Sequence, residues 1–348
     1  MKMKLIVATC YILLSGFLSS AQAPSTSLIT KAKYTNKQVI WYEYDYWLDG
    51  SLLSAKKNGD KFNDVLFKKI GNKYYKAQIE GAFNIEDWGV KRDYERGNSP
   101  EENSKLMQAM IDYFPEGYTA PVYVPTGNFY FSKAIVLNNK PFHITGDNGT
   151  IFSSYASKMI FQDGTEALHI LRTKGIQEAI IERICFVSTG KTKGLHDGLV
   201  IRGRVTLRDV TIKGFSHNGI GIFSNIEEGN DASGSLLEKV HVLECGVDGF
   251  FIGHVDGNAL TVIGCDARDN GRYGFNDDSF LGNNFLSCMA HYNKGGDFYV
   301  RDKANARSLF QGCYSEGGNK TSQLGPLSTV VGGIWGTGYS KDGKKVLQ

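Results

Sequence analysis

Three cysteines stand in register along this sequence. Cys265 and Cys288 are 23 residues apart, and Cys288 and Cys313 are 25 apart. The match is wider than one residue type. Three positions before each cysteine stands an apolar residue (Val262, Phe285, Phe310), and two positions after stands a small one (Ala267, Ala290, Ser315). Ten positions after the first two stand Phe275 and Phe298, and the same frame runs backward through Leu237/Val240/Phe250, Leu207/Val210/Ile220 and Ile181/Ile184. Segments that repeat every roughly 21–30 residues imply a solenoid, because each coil has an apolar side it can bury only against its neighbours. Outward residues of successive coils then stack into columns. Function is to be read across coils rather than along the chain.

The first 23 residues read as a secretory signal. Lys2 and Lys4 precede an apolar stretch from Leu5 to Phe17, and Ser20-Ala21-Gln22-Ala23 offers a small-x-small cleavage site. Cleavage near Ala23 would deliver a secreted or periplasmic protein. The apolar stretch is too short for a membrane span, and no longer one follows. Loss of the signal takes the formal charge from +3 (39 basic, 36 acidic) to +1 (37 against 36). A near-neutral chain gives no electrostatic case for nucleic acid or a membrane surface as partner. Five cysteines remain, with no metal-type spacing. Neighbouring coils about 4.8 Å apart would allow a bridge, but the frame puts three of these thiols in one inward column, where they would act as small hydrophobes.

Residues 24–80 form a β-rich leader, in which Val39 to Trp47 alternates as a strand does. Ser99-Pro100-Glu101-Glu102 is a capping box with proline at the first helical position. Leu106, Met107, Met110, Ile111 and Phe114 follow at helical spacing. A helix over 99–114 is placed to cover the exposed strand edge of a first coil. From Ala120 onward short strands dominate. Residues 81–348 are expected to make one solenoid domain, its last coil marked by Gly332-Gly333-Ile334.

The segment Ala82-Phe83-Asn84-Ile85-Glu86-Asp87-Trp88-Gly89-Val90, the capped helix, and Val122-Tyr123-Val124-Pro125-Thr126-Gly127-Asn128-Phe129-Tyr130 together resemble the opening of pectate-lyase-like proteins, a group that includes phage tailspikes. The resemblance implies an all-β fold: a single-stranded right-handed parallel β-helix with an N-terminal capping helix. It also implies a carbohydrate-active protein, and trimers are frequent in the tailspike branch. The chemistry stays open, since this fold hosts lyases, hydrolases, epimerases and inactive binders.

Each coil carries a strand marked by a glycine-bearing pair before an apolar residue, Asp/Asn-Gly at Leu199, Ile220 and Phe250, with Leu199, Ile220, Phe250, Phe275, Phe298 and Ile334 expected inward. Alternation then sends outward the residues one, three and five further on. This face collects Arg202, Arg204, Arg301 and Lys303 around Asp278 and His254. Phe251, Asn276 and Tyr299 are its further substrate-binding candidates, and a loop bearing Glu227, Glu228 and Asp231 could wall a groove. Guanidinium forks bind carboxylates, and aromatic faces take sugar rings. Arg301, Lys303, Asp278 and His254 are the catalytic candidates for β-elimination from a uronate, which needs a neutralised carboxylate and a base at the adjacent carbon. Asp277 and Asp278 could hold a calcium ion that does the neutralising. Asp277 falls on an inward column, where a carboxylate is costly unless paired.

A second face offers His241, Arg268, His291, Tyr314 and Glu316, with Asp266 and Glu316 two coils apart. These could serve elimination, or form a hydrolase's carboxylate pair. The leading expectation is a lyase acting on an acidic polysaccharide. The alternatives are a glycoside hydrolase and a non-catalytic glycan-binding β-helix.

Overall fold

Leu207, Leu237, Val262, Phe285 and Phe310 pair in an unbroken parallel ladder, as the repeat frame requires. The structure is a computed structural model. It describes residues 26–31, 38–44, 67–70, 73–77, 82–92, 98–113, 121–138, 142–171, 178–301, 306–316, 320–336, 338–341 and 344–346. The signal segment, Phe114 and Lys303 lie outside the described residues. Two compact units are present: residues 1–49 with 62–78, and residues 50–61 with 79–348. In the first, strands Thr26–Lys31, Gln38–Tyr44, Phe67–Ile70 and Lys73–Ala77 form an antiparallel sheet.

The second unit is a right-handed parallel β-helix whose complete coils carry three strands. We name its faces sheets I, II and III in the order the chain visits them. The coil following Cys265, for example, places Asp266–Arg268 in sheet II, Tyr273–Ser279 in sheet III and Asn284–Leu286 in sheet I. Sheets I and II meet at a corner of one residue. Arg183, Asp209, Lys239, Gly264, Ser287, Gly312 and Gly332 occupy it in successive coils, all with φ between 51° and 62°. Only some are glycine. The others accept a left-handed conformation that ordinary side chains rarely adopt. A second such corner, Glu244, Asp269 and Tyr292, follows sheet II.

The cysteine ladder sits just inside the first corner. Cys265, Cys288 and Cys313 are fully buried free thiols. Each Sγ donates to a carbonyl of the preceding coil: Leu237, Val262 and Phe285, at 3.3, 3.3 and 3.4 Å. Beside them run aromatic stacks. Phe250, Phe275 and Phe298 lie parallel at 4.5 and 5.1 Å between centroids, and Phe285 and Phe310 at 4.9 Å. Burying each such ring contributes about 1.5–3 kcal/mol.

The first coil is covered by a helix. Helix α1, Pro100–Tyr113, is capped by Ser99, whose Oγ accepts from Glu102 N at 3.2 Å. It buries Met107, Met110 and Ile111. Its Gln108 bonds the backbone of Val136 on the first strand of sheet III. Oε1 accepts from Val136 N at 2.9 Å, and Nε2 donates to Val136 O at 3.1 Å. That side chain takes the place of a missing neighbour strand. At the other end the expectation for Ile334 is corrected. Ile334 pairs with Tyr314 in sheet II and is exposed, while Trp335 turns inward against Phe298, Phe310 and Tyr339. The Gly-Gly-Ile mark imitates the sheet III strand, but it follows the first corner by too few residues to reach that sheet. A further coil does close the helix, and Tyr339–Lys341 ends it in a hairpin with Lys344–Val346.

Candidate functional site

The outer face of sheet III follows the alternation. Val200, Gly221, Phe251, Asn276 and Tyr299 align in one outward row, and Phe223, Gly253 and Asp278 in the next. A cleft of about 510 Å³ opens there, lined by Phe251, His254, Val255, Asp278, Ser279, Phe280 and Arg301. It therefore gathers four of the residues expected at the site: Phe251, His254, Asp278 and Arg301. The acids of the 224–235 loop are not among the lining residues, and the half-exposed Val255 and Phe280 supply the wall instead.

Two glycines set the rings of Phe251, which lines the cleft, and of its neighbour Phe223. A Cβ on Gly221 would stand 2.5 Å from the ring of Phe223, and one on Gly253 would stand 2.6 Å from the ring of Phe251. Both rings therefore lie down over their own strands. Register sets Gly221 beside Phe251 and Phe223 beside Gly253, and the ring centroids are 5.6 Å apart. The result is an apolar platform on a parallel sheet. Arg202 holds its guanidinium carbon 5.8 Å from the centre of Phe223, and His254 meets the same ring edge-on at 5.9 Å. His254 ends its strand at φ 70°, a conformation that costs on the order of 1 kcal/mol and collects at functional positions. Its imidazole makes no hydrogen bond among the described residues. Arg301 Nη1 donates to Asp278 Oδ1 at 3.1 Å. Both groups keep solvent contact, so the pair adds little stability.

Other expected residues lie elsewhere. Arg204 donates from Nε to the Ser233 carbonyl at 2.8 Å and so anchors the 224–235 loop. Asn276 donates to Asp248 Oδ2 at 2.7 Å, and Tyr299 stacks on Tyr273 at 4.5 Å. Asp277 and Asp278 do not make a cation site together. Alternation sends Asp278 to the cleft and Asp277 to the core, where it is fully buried. There Ser308 Oγ donates to Asp277 Oδ2 at 2.5 Å, and Asn283 Nδ2 and Ser279 N donate to Oδ1 at 3.0 and 3.2 Å. Burial pushes its carboxyl above the usual range despite these bonds. Among the described residues no group of three or more His, Cys, Asp or Glu side chains is arranged to hold a metal.

Sequence reasoning missed four residues at the opposite edge of sheet III. Buried Asp197 accepts from His217 Nδ1 at 2.6 Å and from Asn218 N at 2.9 Å. Fully buried Asp248 takes a fork from Arg272, Nε to Oδ1 at 2.8 Å and Nη2 to Oδ2 at 2.5 Å. Both aspartates had been read only as turn marks before glycine. A usable signal was present: each is followed, one coil later and one position earlier in the frame, by a cation.

Sheet II carries the second face as a ladder. Asp266 is nearly buried between two imidazoles, His291 Nε2 at 3.1 Å and His241 Nδ1 at 3.6 Å. Burial opposes its charge, but the flanking His241, His291 and Arg268 prevail and hold it below the usual carboxylate range. His291 Nδ1 lies 3.5 Å from Glu316 Oε2. The His291 ring thus fills the space between Asp266 and Glu316 that a hydrolase would need for sugar and water. Tyr314 aligns with Met289 one coil away, and Arg268 with His291.

No family model matches the chain, and no curated relative does. Among solved structures, a tailspike protein gp49 from Acinetobacter baumannii bacteriophage Fri1, a capsular polysaccharide depolymerase, is similar with TM-score 0.58 and 12% identity, over 84% of this chain and 54% of that one. The ORF18 product of Geobacillus virus E2 is similar with TM-score 0.50 and 14% identity, over 78% of this chain and 64% of that one. The chain thus spans about half to two thirds of the length of these proteins. At such identities the likeness supports the β-helix fold.

Proposed function

We propose that the protein binds an acidic polysaccharide on the outer face of sheet III and cleaves it by β-elimination. The observation that carries this reading is one cleft lined by Phe251, His254, Asp278 and Arg301, with Phe223 extending the apolar platform from Phe251. The rings take the C–H face of a pyranose. Arg301, steadied by Asp278, pairs with the uronate carboxylate and makes the neighbouring C5 proton more acidic. His254 accepts that proton. The electrons of the C5–H bond form the C4–C5 double bond, the C4–O bond breaks, and the leaving oxygen takes a proton from water. Among the described residues Asp278 is the only carboxylate lining the cleft, which weighs against a hydrolytic pair. A depolymerase on a similar fold supports the polysaccharide part of the reading. Such polymers are extracellular, in keeping with the signal read from the first 23 residues.

Incubation with a panel of uronate polymers tests the proposal. Ultraviolet absorbance from the unsaturated product is the expected result. New reducing ends without absorbance would point to hydrolysis, and affinity without turnover to a binding protein. Either outcome overturns the elimination.

A further inference from the structure

The edge of sheet III opposite the cleft holds a feature that elimination leaves unused. Two buried carboxylates, Asp197 and Asp248, each fix one partly exposed cationic side chain, His217 and Arg272. His217 is held through Nδ1, and its Nε2 makes no hydrogen bond among the described residues. Its N–H donates to the His196 carbonyl at 3.1 Å, so the backbone is fixed as well. The dyad abuts the platform, because Asp197 Oδ2 and the Phe223 ring both lie 2.5 Å from the point a Cβ on Gly221 would occupy. His217 and His254 flank the strand region at its two ends. Their offset of seven frame positions corresponds to roughly 23 Å at about 3.3 Å per residue.

We infer that His217 and Arg272 form a second subsite for the same glycan, one that hydrogen-bonds the carboxylate of a sugar bound several units away from the cleft. The inference rests on the acidic-polysaccharide reading and deepens it. Donors fixed in advance lose little freedom on binding. The charge on His217 is favoured by its bond to Asp197 and by the charges of Asp197 and Asp248, against burial and the charge of Arg272, so it persists to higher pH than for an ordinary imidazole. With Nδ1 donating to Asp197, it is the imidazolium that also donates from Nε2.

The test uses uronate oligosaccharides of increasing length and calorimetric affinities for the full chain. Wild type should bind an oligomer spanning the sheet roughly tenfold tighter than one that only fills the cleft, a charge-assisted hydrogen bond being the source. His217→Gln should lose that gain while leaving the short oligomer's affinity unchanged. The gain should also fade as pH rises through the raised imidazole pKa. Asp197→Asn should bring that loss to lower pH, and it serves as the second variant if His217→Gln misfolds. Affinity that does not grow with length, or a length gain that survives His217→Gln, overturns the inference. Equal weakening of short and long oligomers also overturns it, since that reports a structural role. Wild type that binds no uronate oligomer at any length overturns the acidic-glycan reading itself.

Discussion

Phe223 and Phe251 lie ring beside ring, 5.6 Å between centroids, each laid over a glycine of its own strand. Neither glycine has the positive φ that would demand glycine for its backbone. What they provide is space. Gly253→Ala should therefore lift the Phe251 ring, whose far end lies 2.6 Å from the new methyl, at little cost to folding. Affinity for the polymer should fall roughly tenfold, about 1.4 kcal/mol, while the melting temperature stays within a few degrees. Calorimetry and a thermal melt read the two effects separately.

Arg301 is asked to recognise a carboxylate with a planar fork. Arg301→Lys keeps the charge and loses the fork, and kcat/KM on the uronate polymer should drop roughly 10- to 100-fold. Asp278→Asn should cost less, because it frees the guanidinium without removing it. Steady-state kinetics on the two variants decides the order.

Asp277 carries a pH signature. Its carboxyl is raised in the folded state by burial. Its contribution to stability is therefore full below the unfolded carboxylate value of 3.8 and is lost as pH rises through the raised one. Asp277→Asn should melt a few degrees higher than wild type at neutral pH, with the advantage vanishing toward pH 4. Melting curves across that window test it, and a variant that is less stable at every pH would show that the charged form is the favoured one.

The thiols should be inert. Burial pushes Cys185 and Cys245 up to about 12. Cys313 is raised by its contact with Cys288 and by burial, and Cys288 by burial first. Since the thiolate is the reactive form, a colorimetric thiol reagent should find none of the five buried cysteines in the native protein and all five after unfolding.

The repeat frame was legible because most inward positions are apolar and recur at the same offsets from one coil to the next. That rule located Leu237, Phe275 and Cys288 without reference to chemistry. It also named Arg301, Asp278, His254 and Phe251 as neighbours, since alternation fixes which side of a strand a residue leaves from. It could not foresee that Arg204 would turn to the Ser233 carbonyl, because that depends on a loop of irregular length. Nor could it separate Asp197 and Asp248 from ordinary turn residues. Their partners stand a coil away, and the bond is visible only when coils are stacked. Ile334 was misplaced because the frame measures distance from the cysteine but not which sheet the distance reaches.

The one-residue corners have a consequence for how such a molecule can change. From Asp209 to Ile220, Lys239 to Phe250, Gly264 to Phe275 and Ser287 to Phe298 the chain uses eleven residues every time. From those apolar positions onward to the next first corner it uses nineteen, fourteen, twelve and fourteen. In these four coils the irregularity of the period falls between sheets III and I, where Val255 and Phe280 leave their strands to border the cleft, whereas the coil before them uses sixteen residues from Arg183 to Leu199. An insertion at the first corner would rotate the side chains that follow it out of their columns. An insertion at the third would lengthen a wall of the cleft and leave the register intact. Across the coils that build the cleft, the fold thus places variation in length at the seam where it alters what the cleft can admit.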